Sequence, residues 1–131
     1  MFDHIGFPVS DLAASRAFYE AALAPLGITL RYEVSNEMTG GHGAHLGFGR
    51  EGGYSAFWIG DGKPALGGGC HIAFTASDQA TVDAFYRAAL AAGGIDNGAP
   101  GLRPQYHAGY YGAFVLDPDG NNIEAVHHGA V

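Results

Sequence analysis

Residues 3–28, DHIGFPVSDLAASRAFYEAALAPLGI, and residues 70–95, CHIAFTASDQATVDAFYRAALAAGGI, align without a gap at an offset of 67 residues, and fifteen of their 26 positions are identical. Five of the matches are alanine pairs and follow from composition. His4/His71, Ile5/Ile72, Phe7/Phe74, Ser10/Ser77, Asp11/Asp78, Phe18/Phe85, Tyr19/Tyr86 and Leu23/Leu90 do not. The period exceeds that of a solenoid unit and is about half the chain, so the sequence predicts one supersecondary module present twice, its copies related by an approximate twofold axis. The halves divide as residues 1–66 and 67–131.

Each copy opens with an apolar alternation, His4 to Val9 and His71 to Ala76, which reads as a strand with Ile5 and Phe7 (Ile72 and Phe74) on one face. A Ser-Asp pair follows, with Ser10 or Ser77 placed to cap a helix that Pro25 to Gly27 and Gly93-Gly94 end. Thr29 to Val34, Ala44 to Gly49 and Tyr54 to Ile59 are strand candidates in the first half, and Gly112 to Asp117 and Asn121 to His127 in the second. Between Asp96 and Tyr111 the pattern is looser. Asp117-Pro118-Asp119-Gly120 predicts a tight hairpin, because proline presets the second turn position and glycine accepts positive φ. The fold expected is α+β, two tandem βαβββ modules related by pseudo-twofold symmetry around a cleft. The glycine-rich stretches Thr39 to Gly43 and Gly60 to Gly69 read as a mobile loop and the inter-module linker.

The chain has 131 residues, 47% apolar and 15% charged, a globular balance far from the signature of disorder. Six basic residues against thirteen acidic ones give a formal charge of -7, and Arg16, Arg31, Arg50, Lys63, Arg87 and Arg103 are scattered, so nucleic acid is not an expected partner. No apolar run is long enough for a membrane span, and Met1-Phe2-Asp3-His4 does not open a secretion signal. One cysteine, Cys70, fits a reducing compartment, and the expected location is the cytoplasm.

Strand alternation puts His4 and His71 on the faces their helices leave uncovered, and twofold pairing would set them across a cleft. On the last strand Asn122, Glu124 and Val126 oppose Ile123 and Ala125, so Glu124 enters the same cleft when Ile123 packs toward the helices. Two imidazoles and a carboxylate suit a divalent transition metal with open coordination positions. A single strand histidine more often satisfies a local hydrogen bond, but two at symmetry-related places beside a carboxylate favour the metal reading. The offset of 67 sets Phe57 opposite Glu124, so three protein ligands are expected. His107, Tyr110 and Tyr111, in the loop before the last hairpin, are candidates for a general acid or base, or else packing aromatics. His42 and His45 flank a glycine-rich loop with nothing to fix their role.

Asp3-His4-Ile5, Phe18-Tyr19, Cys70-His71-Ile72 and Asp117-Pro118-Asp119-Gly120-Asn121-Asn122-Ile123-Glu124 together resemble the vicinal oxygen chelate superfamily, which includes glyoxalase I, extradiol dioxygenases, fosfomycin-resistance transferases and bleomycin-binding proteins. The resemblance covers nearly the whole chain. It implies paired βαβββ modules, His4, His71 and Glu124 as ligands of a divalent ion (Zn, Fe, Mn or Ni), a small-molecule substrate held through two neighbouring oxygens, and a homodimer. Glyoxalase I normally supplies a fourth ligand, usually Glu, where the offset places Phe57. Extradiol enzymes carry a tyrosine where this chain reads Phe114-Val115, and fosfomycin-resistance enzymes carry an arginine beyond the last glutamate. The expected function is metal-dependent lyase, isomerase or dioxygenase chemistry, the alternative being a small-molecule binding or drug-sequestering protein without catalysis. A site closed within one chain, the second half folding back through the linker, is preferred over one shared by exchange between two chains.

Overall fold

A computed structural model describes residues 1–64 and 69–129. In chain order it contains β1 (Ile5–Val9), α1 (Leu12–Leu23) with a 3-10 turn at Ala24–Leu26, β2 (Ile28–Val34), β3 (His45–Arg50) and β4 (Phe57–Asp61), then β5 (His71–Thr75), α2 (Gln79–Ala91), β6 (Ile95–Leu102), β7 (Tyr110–Leu116) and β8 (Asn122–His128). The strands form two four-stranded sheets of identical order, β1-β4-β3-β2 and β5-β8-β7-β6. In each, the first strand runs parallel to the last and the rest pair antiparallel. The duplicated α+β architecture is the one the internal repeat predicts. The division between residues 66 and 67 lies outside the described residues.

Both helices begin on the repeated Ser-Asp, but the capping side chain is the aspartate. Asp11 accepts from the Ala14 N–H at 3.1 Å and Asp78 from the Thr81 N–H at 2.7 Å, so the expected serine caps are corrected by one residue. The Asp78 carboxyl is held below its ordinary range by these Thr81 hydrogen bonds. Asp11→Ala and Asp78→Ala should each cost about 1 kcal/mol, with Ser77→Ala near zero, checked by urea unfolding midpoints at constant m-value. The left-handed Gly27, φ 74°, ends the first helical segment as expected, and Gly93, φ 97°, follows the second.

One core serves both modules. Phe18, Tyr19, Leu23, Phe48, Phe57 and Ile59 from the first half and Val82, Phe85, Ala113, Val115 and Ile123 from the second are buried in a single cluster. Phe57 meets Phe74 edge-on across the modules at 5.2 Å, and α1 packs beside α2. Burying these faces against each other is the main gain from fusing two copies. Ile5 does not join them. It is 47% exposed and, with Met1, Phe2 and Phe74, lines an inter-module groove of about 650 Å³.

A buried polar knot ties the last hairpin to the first helix. Asp117, 3% exposed, accepts from the N–H groups of Asp119 and Asn121, from the Asn121 side-chain amide and, at 2.5 Å, from the Tyr19 hydroxyl. Burial, with the Asp117 charge behind it, pushes the Tyr19 phenol far up and keeps it a donor at every working pH. Ser10 reaches Asp119 through both its N–H and its hydroxyl. The Gly120 N–H closes the turn on the Asp117 carbonyl, and its φ of 85° needs glycine, as the motif predicts.

The strand registers correct the sequence alignment at one important place. Ile5 pairs with Phe57 and Gly6 with Trp58, while Ile72 pairs with Ile123 and Ala73 with Glu124. Since Gly6 and Ala73 are equivalent in the repeat, the counterpart of Glu124 is Trp58, not Phe57. One extra residue between Gly53 and the strand shifts the offset from 67 to 66, and a one-residue slip exchanges the faces. Phe57 is 3% exposed in the core.

Other boundaries move slightly. β4 starts at Phe57 rather than Tyr54 and runs through Gly60 and Asp61, which were expected in the linker; residues 65–68 of that linker lie outside the described ones. The stretch between Asp96 and Tyr111 contains β6, a full strand with two register shifts against β7. Thr39–Gly43, expected to be mobile, is tied by Thr39 Oγ1 to the carbonyls of Asn36 and Gly43, and by the Asn36 side chain to the Gly43 N–H.

Candidate functional site

Each sheet keeps one face away from the shared core, and chemistry-bearing residues gather there. On the second sheet His71 opens β5 while Glu124 sits on β8, so parallel pairing brings the two side chains together. His71 Nε2 lies 3.2 Å from Glu124 Oε1. The imidazole orientation follows from its other nitrogen, which at 3.0 Å donates to the Asn122 carbonyl. That bond fixes the tautomer, because a carbonyl can only accept, and leaves the Nε2 lone pair aimed at a carboxylate oxygen. Two lone pairs facing one another call for a cation or a proton between them. Imidazole Nε2 with Nδ1 anchored on a carbonyl, beside a carboxylate, is a donor set that fits a divalent metal.

Glu124 is 1% exposed and is held from both sides. Tyr110 donates its hydroxyl to Oε2 in a short hydrogen bond, and Gly112 leaves the space the carboxylate occupies, since a Cβ there would stand 3.0 Å from Oε2. Burial and then the Glu124 carboxylate raise the Tyr110 phenol well above its ordinary range, so it stays protonated as a donor. The rings of Tyr106, His107 and His128 surround Tyr110 at 5.0, 5.3 and 5.3 Å, and His107 stacks on His128 at 5.0 Å. His107 thus reaches the edge of the site through Tyr110. Tyr111 does not: alternation turns it to α2, where its hydroxyl donates to Asp83 at 2.7 Å, a bond that raises its pKa. His127 likewise turns inward, onto the Ala76 carbonyl.

His4 stands just before β1, which begins at Ile5 rather than at His4, with its ring on Asp3 at 2.6 Å and its side chain 62% exposed. Among the described residues no three His, Cys, Asp or Glu side chains of one chain converge as a metal site, so His4 does not reach the His71–Glu124 pair within the chain. His4 instead lines a groove of about 550 Å³ with Arg31, Tyr32, Tyr54 and Trp58. The Trp58 side chain crosses glycine backbone: a Cβ at Gly6 would fall 2.9 Å from Trp58 Cβ and one at Gly47 2.8 Å from the indole ring. His45 covers Gly60 beside this face, and His42 is exposed.

Three participants are not anticipated from sequence. Phe114, paired with Glu124 across the hairpin, stacks on His71 at 6.2 Å, and Arg103 sits over the same ring at 5.6 Å. Gly112 is the third. Counting alternation forward from Tyr110 would have placed Gly112 and Phe114 on the Glu124 face; Arg103 carries no such signal.

The family profile described as Glyoxalase/Bleomycin resistance protein/Dioxygenase superfamily matches residues 1–125. The chain belongs to this superfamily. Among solved structures, a glyoxalase/bleomycin resistance protein from Albidiferax ferrireducens T118 is 30% identical over 98% of this chain and 99% of its own, with a TM-score of 0.75. A Glyoxalase/Bleomycin resistance protein/Dioxygenase family enzyme from Burkholderia phytofirmans PsJN (20% identity, 96% and 97% covered, TM-score 0.70) shares the fold. So does an E144Q mutant of glyoxalase I from Zea mays (21% identity, TM-score 0.71), where 95% of this chain spans only 46% of the maize one. No curated protein matches the chain at the required significance. Superfamily membership accounts for the paired modules, and no helix among the described residues is long and apolar enough to cross a membrane.

Proposed function

We propose that this superfamily member is a divalent-metal-dependent enzyme of lyase, isomerase or dioxygenase type, acting on a small substrate that chelates the metal through two neighbouring oxygens. The observation that carries the reading is the convergence of His71 Nε2 and Glu124 Oε1, with His71 Nδ1 anchored on a backbone carbonyl. His71 and Glu124 from one chain and His4 from a second copy would hold the ion. Bound there, a divalent cation supplies Lewis-acid stabilisation of negative charge developing on a substrate oxygen, or, as iron, oxygen chemistry.

The chain's own residues prepare this. Asn122 orients the imidazole, Gly112 makes room for the carboxylate, and Tyr110 keeps Glu124 aimed while presenting a proton at the site's edge, with His107 behind it. Two sheet faces turned away from a common core favour closing the site between two chains over folding back within one, and exposed Met1, Phe2 and Ile5 offer apolar surface for a homodimer. Purified without chelator, the protein is expected to carry about one divalent ion per chain by elemental analysis. Metal content no higher in wild type than in His71→Ala would overturn the reading.

Gly112→Ala tests the support. The new methyl group presses on Glu124 Oε2 and on the Tyr110 ring, so metal affinity should fall at least about tenfold while stability drops by only about 1–3 kcal/mol. Competition with a fluorescent metal indicator measures the first and thermal unfolding the second. Unchanged affinity would detach Glu124 from the metal.

A second reading, sequestration of a planar ligand, is favoured by the groove that Trp58 lines with Tyr32 and Tyr54. Binding of a flat aromatic compound that survives chelator and is lost in Trp58→Ala would select it.

A further inference from the structure

Arg103 occupies a seat the chain has cleared for it. A Cβ at Gly101 would stand 3.1 Å from Nη1 and crowd the guanidinium, and one at Gly98 would stand 2.9 Å from the Phe114 ring and 3.4 Å from Nη2. Gly98, at φ 151°, lies in a conformation that favours glycine in any case. Nη2 donates to the Ala99 carbonyl at 2.7 Å, and the plane covers Phe114, the ring on which His71 stacks. Among the described residues Arg103 has no carboxylate partner, although acidic residues outnumber basic ones thirteen to six. Arg31, Arg50, Lys63 and Arg87 likewise form no ion pair among the described residues; what sets Arg103 apart is its place over Phe114. A half-buried, oriented guanidinium with donors to spare, sharing a ring with the candidate metal-binding imidazole, has the form of a receptor for an anionic group.

We propose that Arg103 selects substrates bearing a carboxylate remote from the oxygens that chelate the metal, on the Phe114 side of the site. This rests on the chelation reading above and adds the substrate class to it. The guanidinium is a specificity-determining group: it binds a part of the substrate remote from the reacting oxygens, against the repulsion of an acidic protein. Arginine suits the position because its planar fork both stacks on Phe114 and meets a carboxylate through two N–H groups, which a lysine cannot do.

The test uses two vicinal-oxygen chelators of equal shape, 3,4-dihydroxybenzoate and 3,4-dihydroxybenzamide, titrated calorimetrically into the full-length protein, once loaded with a divalent metal and once treated with chelator. The benzoate should bind the loaded protein about tenfold more tightly or better. Arg103→Gln should erase that preference while leaving benzamide binding in place, and Arg103→Lys should keep part of it. A purely structural Arg103 would lower both affinities together, and equal wild-type affinities would likewise overturn the proposal while chelation stands. A benzoate preference with both affinities unchanged by metal removal sustains Arg103 and removes the chelation reading. No binding of either compound removes both. Should Arg103→Gln fail to fold, the Lys variant decides, because it keeps charge and loses the fork.

Discussion

Metal content should fall below about a tenth of wild type in each of His4→Ala, His71→Ala and Glu124→Ala, because each change removes one of three protein ligands. Elemental analysis of protein purified without chelator reads it directly. How the variants complement one another is more informative. If His4 of one chain meets His71 and Glu124 of another, a mixed dimer of His4→Ala and Glu124→Ala chains collects both defects in one site and leaves the second whole. Random reassociation after co-refolding then restores roughly a quarter of the wild-type metal. Complementation of this size supports the shared site, whereas full occupancy in all three separate variants would end the assignment of these residues.

Phe57→Glu and Trp58→Glu, adjacent and chemically identical changes, should have opposite consequences. Phe57 is packed against Phe7, Tyr19, Phe48 and Phe74, so a glutamate there loses a buried ring and places a carboxylate among aromatics without a partner. The cost should exceed about 4 kcal/mol, enough to unfold many domains of this size. Burial raises the new carboxyl's folded-state pKa above its unfolded value, so the deficit is smallest in acid and grows as pH rises through the unfolded value. Trp58→Glu instead puts the carboxylate on the His4 face at the place equivalent to Glu124, at about 1–2 kcal/mol in lost packing. It should bind the metal more tightly than wild type. Urea unfolding and an indicator titration distinguish the two, and a well-folded Phe57→Glu beside an unfolded Trp58→Glu would reverse the register.

Sequence carried the module, its repetition and the His71–Glu124 pairing because each depends on strict periodicity. Ile72, Phe74, Ile123 and Ala125 keep alternation unbroken, so the opposite face follows by exclusion. It failed where periodicity breaks. One inserted residue before β4 left the composition unchanged and exchanged Phe57 with Trp58. β6, reading Ile95-Asp96-Asn97-Gly98-Ala99-Pro100-Gly101-Leu102, has bulges and little apolar alternation, so no pattern fixes the face of Arg103 at its end. The relation of His4 to the other two residues was not legible either, since a repeat gives equivalence between halves but not which copy of a half meets which.

The two tyrosines inherited from the repeat have parted ways. Tyr19 reaches across the chain to Asp117, while its match Tyr86 donates to Asp96, a few residues past the end of its own helix. The halves have therefore ceased to be interchangeable parts. In the first half the place of the Asp-Pro-Asp-Gly turn is taken by Arg50-Glu51-Gly52-Gly53, so an artificial chain built from two first halves would have the tyrosine and no aspartate at the turn to receive it. The seam is one-way: the first half cannot stand in for the second without losing the knot that ties the halves together.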